Sequence, residues 1–330
     1  MRVFLTGGSG LLGSHLAAHL RGYEHQVVAL HRGGSATGFL TGVGCGLVRG
    51  DVTGPPATLA ELMQGCTHVV HAAALVYKGE SWTEVRGVNV AGTRNVLEAA
   101  AMAGIRHAVH VSSVAVYGTV STETDEMAPT DSPLAASNWY ARSKREAEQA
   151  AREVELERAL RVTVVRPSAV YGERDRLLAV RVAHMLRYPV TPLLGSGRNT
   201  IAVVYAGNVA EAIRLALEAE RGAATYDVGF DHPLTQRMLL EGIGRGMGRS
   251  ARLVAIPGSL VRVAADLLGA MGVSAPGIEG LPLGRVARLA MGENPYPSRR
   301  IREELGWSPP HRHEEALVRT GRWLREHAET

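Results

Sequence analysis

Residues 1–14 read MRVFLTGGSGLLGS: a short apolar strand (Val3, Phe4, Leu5), a tight turn, and a helix that opens without a break. Glycine recurs at every third position, as Gly7, Gly10 and Gly13. A strand-to-helix turn needs this spacing if a pyrophosphate is to rest on the helix N-terminus. The first glycine permits the sharp turn, the second lets backbone N–H groups approach the phosphate, and the third lets the helix pack closely on the strand. The context agrees, because the turn follows a strand and leads into Leu11, Leu12, His15, Leu16, Ala18, His19 and Leu20, a run with helical spacing. Gly7, Ser9, Gly10, Leu11, Leu12 and Gly13 are therefore the residues expected to hold the phosphates of a dinucleotide.

Outward from this turn, strands and helices alternate. Gln26–Leu30 forms a second strand ending at His31 and Arg32, and Gly46–Val48 a third that closes on Asp51 and Val52. His68–His71 runs into Ala72, Ala73 and Ala74, whose small side chains let a ligand lie against the backbone. A long helix over Glu84–Ala103 precedes a strand from Ala108 to Val111 that ends at Ser112 and Ser113. A second long helix, Asn138–Arg158, precedes a strand from Arg161 to Val165 that ends in Arg166–Pro167. This alternation predicts an α/β fold, a doubly wound parallel sheet of the Rossmann type with ligands at the carboxyl ends of its strands. Past about residue 173 the regularity fades. Residues 1–172 read as a dinucleotide-binding domain, with a segment at about 201–229 returning to it, and 173–330 as a smaller, mostly helical, substrate-binding region.

The 330 residues are 45% apolar and 21% charged, a globular composition. The net charge of +4 is spread without a basic run, which argues for a solvated surface and against nucleic-acid binding. Only Cys45 and Cys66 occur, so a reduced, cytoplasmic chain without disulfides is expected. The opening apolar run is too short for a signal peptide. No stretch reaches the roughly 18 uninterrupted apolar residues of a membrane span. Leu253–Val273 is broken by Pro257, Arg262 and Asp266, and its apolar positions Leu260, Val261, Ala264, Leu267, Leu268 and Met271 suit an amphipathic packing or lid helix, with a membrane-surface helix as the alternative. His71 reads as a hydrogen-bonded core residue, and His107, His110, His311 and His313 show no metal-like grouping.

Of 36 basic residues only Lys78 and Lys144 are lysine. Where a charge alone suffices this chain uses arginine, so a lysine marks a place that calls for a compact, titratable ammonium. Lys144 closes the segment Tyr140–Ala–Arg–Ser–Lys144, which puts Tyr140 and Lys144 on one face of a helix. There the ammonium lowers the phenol pKa and yields an acid/base for exchanging a hydroxyl and a ketone. Ser113, at a strand end, is placed to hydrogen-bond the substrate oxygen.

TGGSGLLG, Asp51–Val52, HAAA, SSVAVYG (112–118), YARSK and RPSAVYG (166–172) occur in the order and spacing of the extended short-chain dehydrogenase/reductases. This chain resembles that family, the NAD-dependent epimerase/dehydratase group, over nearly its whole length, down to ELGWSPPHRHEEALVRTGRWLRE near the end. Within it the segments 192–218 and 253–268 look more like the 3β-hydroxysteroid dehydrogenase-like and oxoalkanoate reductase branch. The resemblance implies that Tyr140 is the catalytic acid/base, that Lys144 binds the nicotinamide ribose, and that Ser113 orients the substrate oxygen. It further implies that Asp51 and Val52 contact the adenine, that Ala72–Ala74 line the nicotinamide side, that Pro167 and Val170 flank the nicotinamide, and that the protein is a homodimer through its two long helices.

The second strand ends in His31 and Arg32, with no acid until Asp51. A carboxylate there would accept a ribose 2′-hydroxyl, whereas a cation suits a 2′-phosphate, so NADP is expected ahead of NAD. Members of the resembled family that eliminate water or decarboxylate carry acidic residues just after the serine matched by Ser113; Val114 and Ala115 cannot transfer protons, so the resemblance counts against a dehydratase or decarboxylase. The expected activity is an NADP-preferring interconversion of a secondary alcohol and a ketone on a bulky, apolar small molecule. The alternatives are a nucleotide-sugar epimerase that keeps NAD bound and a non-catalytic NADP sensor.

Overall fold

The computed structural model describes residues 1–76, 81–118, 120, 122–135, 138–270 and 291–327. Lys78 and Met271 lie outside them. The strands are β1 (Arg2–Thr6), β2 (Gln26–His31), β3 (Gly46–Arg49), β4 (His68–His71), β5 (His107–Val111), β6 (Arg161–Pro167), β7 (Ala169–Tyr171), β8 (Val190–Leu194), β9 (Val203–Tyr205), β10 (Thr225–Val228) and β11 (Arg252–Ile256). Seven of them form one sheet in the order β10-β6-β5-β4-β1-β2-β3, all parallel. The chain winds from β1 outward through β2 and β3, then returns beside β1 with β4 and winds the other way. This is the expected doubly wound sheet, and its switch point lies between β1 and β4, where such sheets bind ligands.

Parallel strands covered on both sides must be apolar on both faces. Val3 and Leu5 point into one core, which they share with Leu16 and Leu20 of α1 (Leu11–Gly22) and Ile213 and Leu217 of α8 (Ala206–Ala219). Phe4, between them, points into the other, with Leu59 of α3 (Pro56–Leu62), Val96 and Leu97 of α5 (Gly92–Met102) and Val154 of α6 (Trp139–Glu157).

A third core, including Tyr171, Leu193, Leu240, Ile243 and Leu317, belongs to the C-terminal region. It is built from β7 with β9, β8 with β11, α7 (Leu178–Met185), α9 (Gln236–Met247) and the closing helix His313–His327. Within 201–229, β10 joins the main sheet beside β6 and α8 packs into the core on one of its faces. Val203–Tyr205 instead pairs with Ala169–Tyr171, and the Tyr205 N–H donates to the Asp231 carboxylate at 3.0 Å.

The helix expected over Glu84–Ala103 is interrupted. After α4 (Trp82–Arg86), residues Gly87–Ala91 widen into a π turn before α5 resumes. Such bulges turn a side chain that a regular helix would direct elsewhere. Here that residue is Asn89. The amphipathic run after Leu253 forms β11 and then α10 (Gly258–Ala270), in which Val261 is buried while Leu260, Val263 and Leu267 are exposed.

Candidate active site

The glycine turn is shaped by close backbone approach. Gly7 has φ +73°, and a Cβ there would lie 2.6 Å from the Ala72 carbonyl carbon; one at Gly13 would lie 2.1 Å from the Gly7 oxygen. Gly10 caps α1 with no side-chain hydrogen bond, and the first turn carries no acid. The leading N–H groups thus have no side-chain acceptor among the described residues at the positive end of the helix dipole, and Ser9 and Gly10 are exposed. Ala72 and Ala73 close the other side, with the Ala73 N–H donating to Thr6 Oγ1 at 3.2 Å. These residues fit a dinucleotide whose phosphates rest on α1.

The second group gathers where β4, β5 and β6 end. Asn138 caps α6 by accepting from the Ala141 N–H, which fixes the turn that carries Tyr140. One turn on, Lys144 is buried and donates to the Val111 carbonyl at 2.8 Å, its Nζ 5.9 Å from the Tyr140 ring centre. Val111 is the last residue of β5, so the ammonium is tied next to Ser112 and Ser113. Ser113, buried and extended, accepts from the Ala115 N–H at 3.2 Å. Pro167 and Val170, buried and half-buried, follow from β6 and β7.

Burial pulls the Lys144 ammonium down to about 8, against the attraction of Glu148. Burial and the Lys144 charge together push His71 down to about 3 and His110 well below its ordinary value. The two rings stack with centroids 5.6 Å apart and are neutral at pH 7, so they add no charge beside the lysine. His71 is the core residue expected: it meets Thr6 Oγ1 at 2.8 Å and Thr93 Oγ1 at 3.1 Å.

Several residues escaped the sequence reading. Asn89, turned inward by the π turn, brackets the Leu75 backbone by accepting from its N–H at 2.7 Å and donating to its carbonyl at 3.1 Å, and also donates to Ser143 Oγ at 2.9 Å. Ser143 in turn donates to the Tyr140 carbonyl. Glu148 makes a buried bidentate pair with Arg166, at 2.8 and 2.6 Å. Arg166 also donates to the Tyr117 hydroxyl, which donates to Asp227; burial and then Glu126 push Asp227 up to about 8. Glu148 is four residues after Lys144, and that spacing was the available signal.

At the far end, Arg32 is exposed at the end of β2, and Arg49 of β3 reaches toward it: a Cβ on Gly33 would lie 3.2 Å from an Arg49 Nη. Neither pairs with a carboxylate among the described residues. Asp51 accepts from the N–H and hydroxyl of Thr53, and Val52 packs against Gly92. The sequence-derived residues thus form two groups, the tyrosine–lysine–serine set and the glycine turn, flanking the switch point of the sheet.

Residues 3–229 match the model of the NAD dependent epimerase/dehydratase family. The chain belongs to that family. A relative 30% identical over 320 residues, covering 96% of this chain and 95% of its own, is 4-hydroxy-2-methyl-3-oxo-4-farnesyl-3,4-dihydroquinoline-1-oxide ketoreductase of Stigmatella aurantiaca. The 2-alkyl-3-oxoalkanoate reductase of Stenotrophomonas maltophilia is 31% identical over 75% of this chain and 76% of its own. Among solved structures, DesIV, a dTDP-glucose 4,6-dehydratase of Streptomyces venezuelae with NAD and TYD bound, superposes with a TM-score of 0.74 at 26% identity, covering 100% of this chain and 98% of that one. As a member of the family the chain is an NAD(P)-dependent enzyme of the extended short-chain dehydrogenase/reductase type. No helix among the described residues is long and apolar enough to cross a membrane.

Proposed function

We propose that this enzyme is an NADP-preferring reductase that interconverts a secondary alcohol and a ketone on a bulky, apolar substrate. The observation that carries the reading is the set on α6 and β5: Tyr140 and Lys144 share one helix face, and Lys144 is anchored on the strand carbonyl that precedes Ser112 and Ser113. The bound nicotinamide supplies or accepts the hydride. Tyr140 exchanges the proton on the substrate oxygen, and the Lys144 ammonium stabilises the phenolate. Ser113 Oγ accepts from a backbone N–H, which leaves its own hydrogen to donate to that oxygen as charge develops. Lys144 also holds the nicotinamide ribose, Asp51 and Val52 contact the adenine, Ala72–Ala74 line the nicotinamide side, and Pro167 and Val170 flank it.

Arg32 supports NADP, because the end of β2 offers a cation and no carboxylate. Two things support an apolar substrate: the exposed Leu260, Val263 and Leu267 of α10, and the farnesyl and alkyl groups named for the two reductases above. Val114, Ala115 and Val116 after Ser113 carry no acid, which argues against elimination as in the dTDP-glucose dehydratase. Residues 1–172 as the cofactor-binding part and 173–330 as the mainly substrate-binding part, a homodimer through α4–α5 and α6, and a cytoplasmic location belong to the same reading.

The test is NADPH oxidation against a panel of 2-alkyl-3-oxoalkanoates and other apolar ketones. Stoichiometric oxidation is expected, and Tyr140→Phe should lower kcat about a hundred-fold or more without weakening cofactor binding. Turnover of a nucleotide sugar with no net change in the nicotinamide would replace this reading with an epimerase.

A further inference from the structure

Arg174, two residues after the end of the RPSAVYG segment, has a backbone that suits glycine, with φ +71°. Its side chain leaves the C-terminal region and reaches back to α1. Nε donates to Ser14 Oγ, in the first turns of that helix, at 2.8 Å. Its Cζ lies 3.9 Å from the ring centre of Phe39. Phe39 belongs to α2 (Gly38–Gly42), whose next residue, Leu40, is in contact range of Gly8, where a Cβ would lie 3.4 Å from it. The guanidinium thus sits beside the glycine turn, between the start of α1 and the segment after β2.

The guanidinium has no ion pair there: Arg174 pairs with no carboxylate among the described residues. The adjacent Glu173 is engaged elsewhere, accepting from the Tyr205 hydroxyl at 2.9 Å and lying 3.4 Å from Arg319 Nε. Burial works against the charged guanidinium, and the positive end of α1, without an acid in its first turn, repels it further. The Phe39 ring, the Ser14 hydroxyl and the through-space attraction of Glu173 favour the charge, but no carboxylate among the described residues meets the guanidinium, whereas a bound phosphate would. With Nε on Ser14, the Nη groups remain for phosphate oxygens.

We propose that Arg174 grips the pyrophosphate of the bound dinucleotide, closing on the glycine turn from the substrate side of the molecule. The inference rests on the cofactor reading above. It makes Arg174 a binding residue for both dinucleotides, distinct from Arg32, which would sense only the 2′-phosphate.

Arg174→Gly is the informative variant, since glycine accepts φ +71° and removes only the side chain. Dissociation constants for NADP and for NAD are measured by calorimetric titration, and the melting temperature without ligand is recorded alongside, with Arg174→Gln as a second variant. The expected result is that both variants bind both dinucleotides about ten- to a hundred-fold more weakly, by the same factor. The ligand-free melting temperature of Arg174→Gly should be unchanged or raised. Unchanged affinity in both variants overturns the inference, and so does a loss confined to NADP, which would move the contact to the 2′-phosphate. If the wild type binds neither dinucleotide, the cofactor reading itself fails and this inference with it; tight binding by the wild type that survives in the variants overturns this inference alone.

Discussion

Arg32 and Arg49 stand at the carboxyl ends of neighbouring strands, solvated and without a carboxylate partner among the described residues. Exposed cations of this kind contribute little to folding, so a substitution should be read in ligand binding. Arg32→Ala is expected to weaken NADP about ten- to a hundred-fold, the scale of one charge-assisted contact to a phosphate, while NAD affinity stays the same. Parallel titrations with the two dinucleotides check this, and equal losses for both would place Arg32 away from the 2′-phosphate. That Tyr140, Lys144 and Ser113 come together was legible in the sequence because two share a helix face and the third ends a strand. Arg49, Asn89 and the Glu148–Arg166 pair were less so. Their roles depend on neighbours brought together by the sheet, as when β6 sets Arg166 against α6, and no linear spacing encodes that contact.

The element that matters most to the chemistry is α6, and one side chain caps its first turn. Asn138 is buried and caps the helix through the Ala141 N–H, with Tyr140 in the turn it closes. Asn138→Ala should cost about 1 kcal/mol of stability, as typical N-cap losses do. Because the released turn carries Tyr140 while Lys144 stays anchored on Val111 one turn further in, kcat should fall more than cofactor affinity. Thermal melts and steady-state kinetics on the variant check both parts; a stable protein with unaltered kcat would show that the cap does not position the phenol. Helix existence was legible from periodicity, as α6 shows, but helix irregularity was not. Nothing in Gly87–Ala91 distinguishes a π turn from an α turn without the neighbouring Leu75 backbone and Ser143 that engage Asn89. In the same way the segment at about 201–229 was expected to return to the dinucleotide-binding domain, but which of its strands pairs with which neighbour was not legible, since strand propensity names the element and not its partner.

At the scale of the whole molecule, four of the buried histidines in or beside the main sheet are held furthest below their ordinary value: His15 on α1, His71 on β4, and His107 and His110 on β5. Desolvation is the leading cause in each case. It lowers His15 and His107 to about 4 and His71 to about 3, and His110 well below its ordinary value. In the unfolded chain each would titrate near 6.5, so between that value and the folded pKa the unfolded state binds more protons than the folded one. Stability then rises with pH across that interval, and is lost as pH falls below about 6.5. Asp227, raised to about 8 by burial, works in the opposite sense, since its folded form holds a proton that the unfolded chain releases, and it offsets one of the four. The net expectation is a loss of about 1–4 kcal/mol between pH 7 and 5.5, at roughly 1.4 kcal/mol per pH unit for each extra proton taken up. Urea unfolding at the two pH values measures the loss, and calorimetry in buffers of different ionisation enthalpy counts the protons. Equal stability at pH 7 and 5.5 would mean that these imidazoles reach water in the folded state.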